Sequence, residues 1–206
     1  MRSHPDRVPP PPIGTILRTS RLVLRVGRDS DVSALLRASR RNQDYLRPWS
    51  PAPPAGQTHP TLTSAANEIA RDRTLWKLGT NCAFFVFPAQ EETPRIIGRI
   101  ALSNIARRVF QNAYLGYWMD RGLQGRGLMS EAVDAVVDFA FGPLGLHRVQ
   151  AAVMPRNPGS MRVLEKCGFR REGYAVRYLK IAGNWEDHVL FALTREERSD
   201  GADEAP

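Results

Sequence analysis

The chain has 206 residues, 29 Lys+Arg against 21 Asp+Glu for a net charge of +8, 42% apolar residues and 24% charged ones. That is the size of one domain and the composition of a folded one, and two cysteines, Cys82 and Cys167, cannot build a disulfide scaffold. No apolar run approaches the ~20 residues of a membrane span, and the start at Met1, Arg2 and His4 leads into prolines without an apolar signal core, so a cytoplasmic protein is expected.

Residues 1–15 read as a disordered arm with a proline run at Pro9–Pro12. Residues 21–26 (Arg-Leu-Val-Leu-Arg-Val) alternate like a half-buried strand. Asp29 or Ser30 caps a helix carrying Val32, Leu35 and Leu36. Residues 45–51 hold Pro48 and Pro51 and read as a loop. A helix is expected over 62–78, then strands over 82–87, 95–103 and 113–119.

The second half is better punctuated. Residues 130–141 put Val133, Val136, Val137, Ala140 and Phe141 on one stripe, closed by Gly142 and Pro143. A strand is expected over 148–154. Asn157 and Pro158 then form an N-cap followed by proline at the first helical position, with Gly168 as the stop. Strands over 174–181 and 185–194 flank a Gly183-Asn184 hairpin turn. Residues 196–206 read as an acidic flexible tail, which leaves 16–195 as one domain. Without the last twelve residues the body carries 27 basic against 16 acidic residues. Such a balance suits a nucleic-acid partner, an anionic cofactor or an acidic protein substrate.

The stretch that carries chemistry is Tyr117-Trp118-Met119-Asp120-Arg121-Gly122-Leu123-Gln124-Gly125-Arg126-Gly127-Leu128-Met129-Ser130-Glu131. A strand runs into a glycine turn that opens directly into an amphipathic helix. Backbone N–H groups at that junction lack helical partners and the helix dipole is positive, so phosphate is a natural occupant. On spacing alone, a plain strand-to-helix turn is an equal reading. No Gly-Lys-Ser/Thr follows, and the glycines do not match the dinucleotide fingerprint.

Gln124-Gly125-Arg126-Gly127-Leu128-Met129 resembles the acetyl-CoA loop of the GNAT superfamily of N-acetyltransferases, although Met129 stands where that superfamily has Gly or Ala. The resemblance continues through Asn157-x-x-Ser160, Gly168-Phe169 and Glu172-Gly173-Tyr174. Leu46-Arg47-Pro48-Trp49, Leu115-Gly116-Tyr117, His147-Arg148 and Trp185-x-Asp187-His188 narrow it to the RimJ branch, the ribosomal-protein alanine N-acetyltransferases. The resemblance implies an α/β (α+β) GNAT fold: a mixed, mostly antiparallel sheet of about seven strands, helices on both faces, and a splayed strand pair at the acetyl-CoA site. It also implies acetyl-CoA as cosubstrate and no metal. The expected acceptor is a protein N-terminus, that of a ribosomal protein, with no membrane and no dedicated nucleic-acid binding, in a monomer or homodimer.

Site roles follow from the same resemblance. The backbone of Gln124, Gly125, Arg126, Gly127, Leu128, Met129 and Ser130 would hold the pyrophosphate. Tyr117, Trp118 and Met119 would pair with the pantetheine arm, with Asn157 touching it. Ser160 is the first candidate for the acid that protonates the leaving thiolate, with Tyr174 and Tyr178 as competitors. Glu131, Asp187 and Glu68 are the candidate bases. Leu46, Trp49 and Tyr178 would line the acceptor groove. Cys167 reads as a core residue, and His147 and His188 as hydrogen-bonded structural residues. Two other readings remain at this point: the same chemistry on a small-molecule amine, and a non-catalytic acyl-CoA or RNA-binding module.

Overall fold

The computed structural model describes residues 9–53, 58–91 and 95–198. Eight strands form one sheet: β1 (Ile16–Arg18), β2 (Leu22–Arg25), β3 (Cys82–Pro88), β4 (Gly98–Ala106), β5 (Asn112–Met119), β6 (Arg148–Val153), β7 (Arg170–Ile181) and β8 (Asn184–Thr194), in the order β1-β2-β3-β4-β5-β6-β8-β7. Every neighbouring pair is antiparallel except β5 with β6. Among the described residues, four longer α-helices complete the fold: α1 (Val32–Leu46), α2 (Leu62–Lys77), α3 (Leu128–Phe141) and α4 (Pro158–Lys166).

Strand β3 explains why helices cover both faces. Its run Cys82-Ala83-Phe84-Phe85-Val86-Phe87 is apolar at every position and buried throughout, as a strand covered on two sides must be. Phe84 and Val86 join Ile100, Leu102 and the α3 residues Val133, Val136 and Val137 in the larger core. Phe85 and Phe87 point the other way, into a smaller core with Leu35 and Ala38 of α1 and Ile69 of α2. The end of α2 reaches the larger core through Trp76, which packs edge-on against Phe84 at 5.1 Å and stacks on Phe139 at 6.0 Å. Each such buried aromatic stabilises the fold by about 2–3 kcal/mol.

Several expectations are corrected. The sheet has eight strands rather than about seven, the extra one being β1, three residues hydrogen-bonded to β2. Helix α1 continues through Tyr45 and Leu46, and a 3-10 turn over Arg47–Trp49 follows; Arg47 still donates its N–H to Gln43. Pro48 sits in the first positions of that turn, where a missing N–H costs nothing. The hairpin turn is Ala182-Gly183, since Ile181 pairs with Asn184. The described part of the arm, 9–15, is docked: Trp76 Nε1 donates to the Pro11 carbonyl at 2.7 Å and Ile13 packs on the core. At the other end, 195–198 form a helical turn in which Arg198 pairs with Asp134 and Asp138, each at 3.0 Å. The remainder of the expected arm and tail, 1–8 and 199–206, lies outside the described residues. Among the described residues, no helix is long and apolar enough to cross a membrane, and no group of three His, Cys, Asp or Glu side chains gathers as a metal site.

Candidate active site

The central feature is a gap in the sheet. Strands β5 and β6 pair only over Asn112–Tyr114 and Arg148–Gln150. Beyond that point β5 stays laddered to β4 through Met119, while β6 follows β8 through Val153. Over Leu115–Met119 the main-chain groups of β5 that face away from β4 therefore line an opening rather than a ladder. Tyr117 and Met119 belong to the α3 side of the sheet, and Trp118 packs into the α1/α2 core on the other side.

The loop that leaves β5 is braced from α1. Asp120, nearly fully buried, accepts from Gly122 N–H at 3.1 Å and pairs with Arg41 at 2.5 Å. Asn42, also buried, accepts the Arg121 N–H at 3.0 Å, and Gln124 donates to the Tyr45 hydroxyl. Gly125 and Gly127 both have φ +73°, the left-handed region that favours glycine. Gly127 is the N-cap of α3 and supplies no capping side chain. Glu131 is the first residue whose N–H returns to the helix, at 3.1 Å from the Gly127 carbonyl, so the N–H groups of Leu128, Met129 and Ser130 point out of the helix end. A methyl placed on Gly127 would lie 3.7 Å from Arg21 Nη2 and 3.9 Å from Lys166 Nζ. Free N–H groups, a helix dipole and two flanking cations make this an anion cradle.

Across the gap, the first turn of α4 brings three expected residues together. Asn157 caps its helix by accepting the Ser160 N–H at 3.1 Å. The Tyr117 hydroxyl reaches over from β5 to lie 2.9 Å from Ser160 Oγ and 3.1 Å from the Ser160 carbonyl. Burial pushes the Tyr117 phenol well above its ordinary range, so it stays protonated. The pair is a part-buried hydroxyl couple at the edge of the opening.

The expected acceptor-groove residues lie on or against the β7–β8 hairpin. Tyr178 of β7 packs edge-on to His188 at 5.7 Å, and burial and the neighbouring Tyr114 hydroxyl of β5 raise its phenol. The turn bearing Trp49 follows Leu46 at the end of α1 and meets the β7–β8 hairpin, where Ala182 N–H donates to the Ser50 carbonyl at 2.9 Å. Leu46 and Trp49 are both half-buried. His188 is buried with Nδ1 at 3.0 Å from the Glu186 carbonyl, and His147 lies 3.1 Å from Glu196, both structural settings.

The carboxylates separate sharply. Glu131 does not face an acceptor. It takes hydrogen bonds from Thr19 at 2.5 Å, Arg21 N–H at 3.0 Å and Arg21 Nε at 2.6 Å. Burial alone would raise its carboxyl, but these partners outweigh burial and hold it below the ordinary value. Arg21 in turn donates to the Arg126 carbonyl at 3.0 Å, so Glu131 braces the loop instead of accepting protons. Asp187 is held low by Arg177 N–H and by the Tyr174 hydroxyl, both at 2.8 Å. That bond also corrects Tyr174: it is exposed on the edge strand with its proton committed to Asp187, not joined to Ser160. Only Glu68 is pushed the other way. Burial raises its carboxyl, offset in part by Arg99 at 3.4 Å, and Arg99 stands cross-strand from Trp118. The braces Arg21, Arg41, Asn42 and Tyr45 were missed in the sequence, where nothing local marks a partner about 80 or 110 residues away.

This geometry agrees with the comparisons. The family model described as an acetyltransferase (GNAT) domain matches residues 21–170. The chain belongs to the GNAT family of acetyltransferases. It is 36% identical over 185 residues to the ribosomal protein uS5-alanine N-acetyltransferase of Escherichia coli (strain K12), covering 90% of this chain and 93% of that one. The Mycobacterium smegmatis RimJ structure in complex with CoA-disulfide superposes with a TM-score of 0.80 at 30% identity, covering 92% and 93% of the two chains. A Bacillus subtilis (strain 168) protein named Probable N-acetyltransferase YjcK is 51% identical over 110 residues, which span 53% of this chain and 60% of that one, less than two thirds of its length. Acetyl-CoA is the cosubstrate of the family, and the uncapped α3 terminus with Arg21 and Lys166 fits its pyrophosphate.

Proposed function

We propose that this chain acetylates the N-terminal α-amine of a ribosomal protein, beginning with alanine or another small residue, in the cytoplasm. Acetyl and amine would meet directly in a ternary complex. Acetyl-CoA supplies an acetyl group activated as a thioester. Gly125 to Ser130 would hold its pyrophosphate through main-chain N–H groups, and the open edge of β5 at Tyr117–Met119 would pair with its pantetheine arm beside Asn157. Ser160 Oγ holds the proton for the departing sulfur. Tyr117 keeps that hydroxyl oriented.

The observation that carries the reading is the gap itself, with the uncapped α3 terminus and the Tyr117–Ser160 hydroxyl pair beside it; Trp49 and Tyr178 would form the acceptor wall opposite. Two substrates would enter it from opposite faces, as direct transfer requires. The neutral amine is the nucleophile. An N-terminal α-amine has an ordinary pKa near 7.7–8.0, so deprotonating it at pH 7 costs only about 1 kcal/mol, against about 4–5 kcal/mol for a lysine. A site with no strong base suits the former, with Glu68 as the carboxylate whose surroundings favour proton uptake. Mass spectrometry of ribosomal-protein N-termini from cells with and without this protein tests the proposal: loss of acetyl from a small-residue terminus supports it, and an unchanged set contradicts it.

A further inference from the structure

Arg156 takes no part in the roles assigned above, yet three groups from two elements, the Arg47–Trp49 turn and β8, converge on its guanidinium. It lies over the Trp49 ring at 4.9 Å from the centroid. Its Nη2 donates to the Pro48 carbonyl at 3.2 Å and pairs with Glu186 of β8 at 3.0 Å. The residue that follows it is Asn157, the cap of α4, whose N–H returns to the Met154 carbonyl at 2.8 Å. Arg156 therefore sits between the aromatic wall and the helix end that presents Ser160.

We infer that Arg156 is a positioning residue that fixes the acceptor wall against the α4 terminus. This rests on the functional reading above. The turn at Arg47–Trp49 has few other restraints: it is a single 3-10 turn with no side-chain cap, and its closing N–H···O bond, Ser50 to Arg47, is long at 3.5 Å. The Ala182 bond to Ser50 ties the turn to the hairpin tip, and Arg156, next to the α4 cap Asn157, ties it to the start of that helix. A planar guanidinium can stack on the indole while its edge serves a carbonyl and a carboxylate; an ammonium cannot do all three. Glu186 keeps the cation in place and partly neutralises it beside the groove that must admit an amine. Arg156 thus fixes where the acceptor's first residue rests relative to Ser160, without touching the reacting atoms.

The test compares wild type with Arg156→Ala and Arg156→Lys by steady-state kinetics on an alanine-initiated peptide and by hydrogen exchange over residues 45–52. Arg156→Ala is expected to raise the peptide KM about tenfold while the acetyl-CoA KM stays within about twofold, and to speed exchange across 47–50. Arg156→Lys should recover only part of each effect. Equal rises in both KM values, or unchanged exchange at 47–50, would overturn the inference. If wild type fails to acetylate the peptide, the functional reading has failed, and the exchange data still decide whether Arg156 holds the turn.

Discussion

The Tyr117 hydroxyl lies 2.9 Å from Ser160 Oγ and 3.1 Å from the Ser160 carbonyl, joining β5 to α4 across the place where the sheet parts. The carbonyl can only accept; with the Tyr117 proton given to it, the Tyr117 oxygen accepts from the Ser160 hydroxyl. The Ser160 proton is thereby held on a defined line, ready to turn toward an anionic sulfur. The phenol, raised by burial, does not compete by ionising.

Removing that hydroxyl should act on turnover. Ser160→Ala is expected to lower kcat about a hundredfold or more, the range of a lost general acid, with the acetyl-CoA KM nearly unchanged. Tyr117→Phe should lower kcat less, about tenfold, because Ser160 keeps its proton but loses its orientation. Steady-state kinetics with saturating acetyl-CoA reads both; a Ser160→Ala enzyme with full kcat removes the assignment.

Gly127 is the position where backbone geometry and ligand space coincide. Any side chain there meets φ +73°, which costs about 1–2 kcal/mol, and projects between Arg21 and Lys166. Gly127→Val should weaken acetyl-CoA binding at least about tenfold by calorimetry while the circular dichroism spectrum remains that of a folded protein. Unaltered affinity would place the pyrophosphate elsewhere.

Acid should loosen the same loop. Glu131 has its folded pKa below the ordinary 4.5, so its brace to Thr19 and Arg21 is complete above that value and is lost as pH falls through the folded value. Stability should therefore fall below about pH 4.5, and Glu131→Gln should be less stable at neutral pH yet lose less on acidification. Thermal melts of both proteins from pH 7 to pH 3 give the comparison; parallel curves would contradict it.

How much of this was legible depends on the range of the interaction. Asn157-Pro158 and Gly125-Gly127 are local signals, and each produced the cap or turn that its chemistry predicts. The hairpin turn slipped by one residue because Gly183-Asn184 is a good local turn pair, whereas the buried Ile181 side chain sets the register and puts Ala182 and Gly183 at positive φ. Strand β1 is hidden because its three residues, exposed except for a half-buried Leu17, give no periodicity to read. Glu131 is a candidate base in the sequence; the fold brings Arg21 to it across 110 residues. Tyr174 and Asp187 were nominated separately, and the hairpin pairs them with each other.

The thiols provide an independent check on direct transfer. Burial pushes Cys82 and Cys167 each up to about 12, and both are nearly inaccessible. Neither is a nucleophile near neutral pH. Iodoacetamide at pH 7.5 should leave the folded enzyme active and unlabelled until denaturant is added. Rapid labelling with loss of activity would point to an acetyl-cysteine route instead.

The central claim is that the amine accepted at the gap is an N-terminal one. Its most direct measurement is acetyl-CoA turnover on two short peptides, one with a free N-terminal alanine and no lysine, the other N-terminally blocked with one lysine. The first should be acetylated at its α-amine and the second not at all. Turnover of the blocked lysine peptide with none of the alanine peptide would contradict it.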